Sequence, residues 1–185
     1  MSVAGAGPGG AGQVRADLRR AAEAAVRSWA AGLQAGDGVA LDDGARLGEF
    51  VVQLPGERKL RTTVSLLVGD HSLSASAFVV RNPDENHASV HRWLLERNTR
   101  LHGIAFAIDR LGDVYLVGRV PLPGVTADTV DSLMGEMLTT ADGVFNDLLA
   151  MGFLSAMRKE WAWRRLRGES TRNLDAFAHL LDDGQ

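Results

Sequence analysis

RLGEFVVQLPGERKLRTTVSLLVGDHSLSASAFVV, residues 46–80, is the stretch whose reading decides the fold. Three apolar runs are separated by PGER at 55–58 and by Gly69 and Asp70, all residues that favour turns. In the middle run Leu60, Thr62, Val64 and Leu66 share one parity, and Arg61, Thr63 and Ser65 share the other. Successive side chains of a strand point to opposite faces, so this pattern predicts a sheet with one buried and one wetter face. Short turns between the runs make the three strands an antiparallel meander. NPDEN at 82–86 stops it.

Helical spacing surrounds the meander. Val14, Leu18, Ala22, Ala25, Trp29 and Leu33 recur at three- and four-residue steps, predicting a helix from Val14 to Ala35. GDG at 36–38 is read as its stop, followed by an aspartate-bearing loop. A second helix is expected over 86–101, with Val90, Trp93, Leu94, Arg97 and Leu101 on its inner face. GIAFAID and DVYLVGRVPL then predict a hairpin. Thr126 caps a long helix whose stripe runs from Val130 to Leu148, with Asp128 and Asp131 near its positive end. After Gly152 the chain continues or restarts as the helix FLSAMRKEWAWRRLRG, and LDAFAHLL is a short apolar finish. The predicted fold is α+β: a mostly antiparallel five-stranded sheet in the order α-βββ-α-ββ-α, plus a C-terminal helix. Its parts are a disordered glycine-rich terminus (1–13), a domain (14–153) and a helical extension (154–185).

A chain of 185 residues suits one domain with extensions. A net charge of -3 gives no global attraction to nucleic acid or anionic membrane. The absence of cysteine excludes disulfides, zinc-thiolate sites and a cysteine nucleophile. No apolar run approaches the ~20 residues of a membrane span, and no signal peptide is recognisable, so a cytoplasmic protein is expected.

Candidate chemistry is sparse. Asp109 and Asp113 bracket RLG between two apolar runs, where aspartate and glycine serve to turn the chain. His87 and His91 are four apart, as metal ligands on one helix face would be, but a third ligand is not specified. GAGPGG sits at the terminus without a preceding strand, so it lacks the scaffold of a dinucleotide site. Ser65, Ser72, Ser74 and Ser76 fit a solvated sheet face. No catalytic, cofactor-binding or metal residue is assigned, and no cofactor is expected. An enzyme with a site built from scattered polar groups, such as His87 and His91, stays open as an alternative.

RKEWAWRRLR, residues 158–167, is the local anomaly: five cations against Glu160, in an acidic chain. Trp161 and Trp163 are interleaved and point about 200° apart on a helix, so one surface does not easily hide both. One reading packs Trp161 with Leu154, Met157 and Leu166, or buries a tryptophan in a second subunit. A second docks Trp163, Arg164 and Arg165 on another protein. A third binds nucleic acid or an anionic surface.

VHRWLLERNTRLHGIAFAIDRLGDVYLVGRVPL, followed by TADTVDSLMGEMLTTADGVFNDLLAMGF, resembles the YbjN family, a family of bacterial domains with a fold like the type III secretion chaperones. Asn98, Gly112, Asp113, Tyr115, Arg119 and Phe145 occupy the family's places, and the element order extends the resemblance over roughly Val14 to Phe153. The resemblance implies a non-catalytic, commonly dimeric regulatory module, without a catalytic site to carry over. Arg119 is then a candidate for a dimer seam, and an unidentified protein is the expected further partner.

Overall fold

The computed structural model describes residues 8–33 and 38–181. Its elements run α1 (Pro8–Gly32), β1 (Ala40–Asp43), β2 (Glu49–Pro55), β3 (Arg61–Val68), β4 (Ser72–Val80), α2 (His87–Asn98), β5 (Ile104–Ile108), β6 (Val114–Pro121), α3 (Ala127–Gly152), α4 (Leu154–Arg167) and α5 (Ala178–Leu181), with 3-10 turns at Leu122–Gly124 and Arg172–Phe177. All strand pairs are antiparallel, in the order β1-β2-β3-β4-β6-β5.

Among the described residues the sheet therefore has six strands, not five. β1 is the added one, an edge strand reading ALDD and pairing Ala40 with Gln53 through Asp43 with Phe50. Four residues with two aspartates carry too little alternation to distinguish an edge strand from a loop. α1 also starts earlier than expected, so residues 8–13 of the segment read as disordered are helical. The rest of that segment, and the proposed stop at Gly36 and Asp37, lie outside the described residues. Val14 is exposed, and the buried stripe of α1 is Ala22, Val26 and Trp29. α2 ends at Asn98, before Leu101. Leu60 keeps the buried parity but lies in the turn, 88% exposed, because β3 starts only at Arg61.

One face of the sheet makes the core. Phe50, Val52, Val64, Leu66, Leu73, Ala77, Leu116 and Phe106 point to it, and α1, α2 and α3 supply Val26, Leu94, Met137 and Leu148. Fully burying each such side chain contributes about 1.5–3 kcal/mol. Thr126 accepts from the Thr129 amide while the Thr129 hydroxyl accepts from the Thr126 amide, closing a reciprocal cap on α3. Trp29 Nε1 donates to Asp131 at 2.9 Å, tying α1 to the first turns of α3. At the far end, Gly152 is buried, and its carbonyl accepts from the Asp84 and Glu85 amides at 2.9 and 3.2 Å. A Cβ there would stand 2.9 Å from Pro83, so the contact requires glycine.

Thr62 is fully buried and its hydroxyl has no hydrogen-bond partner among the described residues. Thr62→Val keeps the branched shape β3 favours and removes the unsatisfied group. The expected result is stabilisation by about 1 kcal/mol, read as a rise of roughly 2–4 °C in melting temperature; a fall in Tm would show that the hydroxyl is satisfied.

Candidate functional site

Two surfaces stand out. The first is a groove of about 580 Å³ among the end of β4, α3 and α4, with Phe78, Val80, Phe145, Leu149, Phe153 and Met157 among its lining residues. A bulge in the β4–β6 ladder between Phe78 and Val80 buries both Val79 and Val80 while leaving Phe78 40% exposed. α4 restarts directly after α3 rather than continuing it, which brings Met157 over the same region. The hinge is held by Glu85, which accepts from the Ser155 amide and hydroxyl, both at 2.7 Å. These bonds hold the Glu85 carboxyl below its ordinary pKa.

Lys59, Arg81 and Glu160 are the charged residues of the groove. Arg81 lies over the Phe153 ring at 4.5 Å and grips Asp84 through two bonds of 2.5 and 2.7 Å. Glu160 accepts from Arg164 Nε at 2.5 Å. Lys59 donates to the Phe78 carbonyl and faces the Phe78 and Phe145 rings at 5.3 and 6.0 Å. The turn carrying it is pinned by Asp142, whose Oδ1 accepts from the Arg58 and Lys59 amides, both at 2.9 Å. Burial of the ammonium lowers its pKa to about 8.

The second surface is the outer face of the sheet. Glu49, Val51, Gln53, Thr63, Ser65, Leu67, Ser74, Ser76, Phe78, Ala105, Ala107, Tyr115, Val117 and Arg119 point to it, and none is buried. No element covers this face among the described residues. Phe78 and Tyr115 stack edge to face with centroids 5.6 Å apart. The serines lie here, as their strand positions predicted.

The expected contact residues divide between two places. Arg119 is exposed on the outer face of β6, without a hydrogen bond or ion pair among the described residues. Trp161, Trp163, Arg164 and Arg165 share α4. Trp161 is half-buried against the small cluster of Met157, Leu174, Phe177 and Leu181, and its buried Nε1 has no partner among the described residues. Trp163 is 46% exposed, with the Arg167 guanidinium 4.7 Å from its ring. Leu166 is almost fully exposed, so it does not join Trp161 as expected; the apolar turn at 174–181 takes its place. Arg158 reaches the Leu180 carbonyl at 3.1 and 3.2 Å, and Arg164 the Ser170 carbonyl at 2.9 Å, so both hold the extension together.

Asp109 and Asp113 turn the chain. Asp109 Oδ1 accepts from the amides of Leu111 and Asp113 at 2.8 and 3.0 Å, and Gly112 takes φ +87°. Asp113 accepts from the Asn82 amide at 2.8 Å, tying the turn to the segment after β4. His87 and His91 stand with ring centroids 6.3 Å apart, and no third metal-ligating side chain joins them among the described residues. No described helix is long and apolar enough to cross a membrane. Lys59 and Phe78 were missed as groove residues, because no motif marks them and only the tertiary fold gathers them.

The folded chain releases the Lys59 proton near pH 8, while the unfolded chain holds it to the ordinary 10.5. Between these values the unfolded state binds more protons, so this group makes stability rise with pH there, with its full penalty present below 8. Lys59→Met keeps the stem and is expected to flatten that rise in urea melts compared across the window. Parallel pH profiles for the two proteins would show that Lys59 titrates normally.

Comparison with known proteins places the chain. The sequence profile described as "YbjN: Putative bacterial sensory transduction regulator" matches residues 24–150. An uncharacterised protein of Mycobacterium leprae is 52% identical over 134 residues, 72% of this chain and 73% of the relative. One of Mycobacterium tuberculosis is 53% identical over 131 residues, 71% and 72% of the two chains. Among solved structures, the Yersinia pestis type III secretion chaperone SycH, in complex with a stable fragment of YscM2, is similar over 65% of this chain and 96% of its own, with 17% identity and a TM-score of 0.46. The ExoU–SpcU heterodimer from the Pseudomonas aeruginosa type III secretion system is similar over 64% and 93%, with 15% identity and a TM-score of 0.40. By the profile over 24–150 and by relatives above 50% identity, the chain belongs to the YbjN family.

Proposed function

We propose that the protein is a non-catalytic, dimeric protein-interaction module of the bacterial cytoplasm that holds an apolar segment of another protein. The observation that carries this is the groove: aromatic and aliphatic side chains from β4, α3 and the segment linking α3 to α4 converge there, with few charged groups among them. A surface of that kind gains affinity by removing apolar area from water, and its fixed aromatic rings supply specificity. Lys59 adds a cation at the groove wall with no carboxylate partner among the described residues, which favours a segment bearing an acidic side chain beside its apolar anchors.

The basic face of α4 gives a weaker case for nucleic acid. Arg158 and Arg164 are engaged with backbone carbonyls of the extension, and Arg167 pairs with Glu169 at 3.0 Å. Phosphate binding needs several cations free to displace counterions together.

Ala156 lines the groove and is exposed on α4, so it can be replaced with little cost to the core. A photo-crosslinking side chain at 156 should capture one protein partner in the native cell through a defined apolar peptide, while the same group at exposed Leu47 should not. Ala156→Trp, which fills the groove, should weaken binding of that captured peptide by about tenfold or more at unchanged melting temperature. Crosslinks from 156 that are no more specific than those from 47 would sink the reading.

A further inference from the structure

Of the 20 lysines and arginines in the chain, only Lys59 and Lys159 are lysines. Lys159 stands exposed on α4, whereas Lys59 lines the groove. An arginine at 59 would carry the same charge but could not release a proton and act as a nucleophile. The groove wall therefore carries a cation that chemistry can remove. We infer that Lys59 is an acylation site: its amine takes a small acyl group from an acyl phosphate, and the groove loses that cation. The effect on the groove rests on the segment-binding reading above and supplies its regulation.

The turn that carries Lys59 is fixed by Asp142, and the ammonium lies at the Phe78 carbonyl and beside the Phe78 and Phe145 rings. Every nearby carboxylate is engaged elsewhere or turned to solvent. Asp142 accepts from two turn amides, Glu160 accepts from Arg164, Asp84 accepts from Arg81, and Glu57 is exposed. Burial without such a partner disfavours the charged form, so the ammonium gives up its proton near pH 8 rather than 10.5. At pH 7 about 10% of such an amine is neutral, against roughly 0.03% of an ordinary lysine. A weaker base is a weaker nucleophile, which returns part of that gain and leaves an advantage of about tenfold. Arg58 and Arg61 flank the lysine in sequence and draw a dianionic donor to the turn.

In the reaction the amine nitrogen attacks the acyl carbonyl carbon. An N–C bond forms, the C–O bond to phosphate breaks, inorganic phosphate leaves with the bonding pair, and the nitrogen releases one proton to water. Nothing is oxidised or reduced. The amide product suits the site better than the ammonium does. It is uncharged, so the desolvation penalty on the cation disappears, and its remaining N–H is left to donate to the Phe78 carbonyl. The acyl carbons enter a groove of about 580 Å³ lined by Phe145, Leu149 and Met157. Methylation would keep the charge, and the penalty with it. With the cation gone, the groove no longer favours a segment bearing an acidic side chain.

Millimolar acetyl phosphate, added to the full folded chain at pH 7, tests the site. Mass spectrometry of peptides cut after glutamate separates the two lysines. Lys59 should be acetylated about tenfold or more faster than Lys159, and in the urea-unfolded chain the two rates should agree within about threefold. Equal rates in the folded chain, or a preference that survives unfolding, overturn the site. In a Lys159→Arg background, which leaves one lysine, acetylation should raise the melting temperature at pH 7; a fall would show that the acyl group does not fit the groove. That acetylated chain should bind the peptide captured through position 156 about fivefold or more weakly than its unmodified form. Equal binding overturns the regulation while leaving the groove reading intact. Crosslinks from 156 without specificity sink the groove reading and the regulation with it, and the two lysine rates still decide whether Lys59 is the acylation site.

Discussion

α1, α2 and α3 all pack on one side of the sheet, where Val64, Leu66, Ala77 and Leu116 meet Val26, Leu94, Met137 and Leu148. A sheet covered on one side must present its opposite face to water or to another molecule, and this chain fills that face with serine, alanine and threonine around a few valines. The same one-sidedness limits where α4 can go. With the helical side already occupied, the chain leaving α3 breaks at Phe153 and lays α4 near the ends of β4 and α3, where it forms a wall of the groove. Surface ion pairs such as Arg19 with Asp70 or Arg97 with Asp147 are exposed and contribute about 0–1 kcal/mol each. A few buried leucines outweigh all of them.

Much of this architecture is legible in the sequence because it is written in local periods. The period-two alternation of 46–80 and the stripe from Val130 to Leu148 identify the meander and α3, and both fill the core as expected. Asp109 and Asp113 read as turn residues from their glycine neighbour alone; the Asp109 carboxylate accepts from turn amides, and that of Asp113 from the Asn82 amide beyond β4. β1 was not legible, since Ala40–Asp43 is stabilised by pairing with β2 rather than by its own composition. The interaction surfaces were not legible for a related reason. Lys59 and Phe145 are far apart in sequence, and Phe78 comes beside Tyr115 only through the register of β4 on β6. Such proximities exist only after long-range pairing is set.

The tryptophans of α4 show packing and charge acting on one helix. Their divergent directions follow from helical geometry, and the structure hides one while exposing the other. Trp161 leans on a small cluster built by residues 174–181, while Trp163 lies outside with Arg167 against it. The arginines finish the arrangement rather than cause it. Arg164 and Arg165 lie in the last turn, where cations suit the negative end of the helix, and Gly168 at φ +68° closes it. Clustered positive charge on this helix is thus largely accounted for by local structure.

Phe78 belongs to both surfaces. Its ring stacks on Tyr115 of the outer face, lines the groove and faces the Lys59 ammonium, while its carbonyl accepts from that same ammonium. The bulge just beyond it fixes this position, because two consecutive valines turn inward and hold the backbone of β4. A ligand that displaces the Lys59 ammonium from the Phe78 carbonyl must disturb a ring that also borders the sheet face. Coupling between two sites requires an element with more than one arrangement that both sites bias. A half-exposed aromatic ring at the junction of two open surfaces meets the steric part of that requirement.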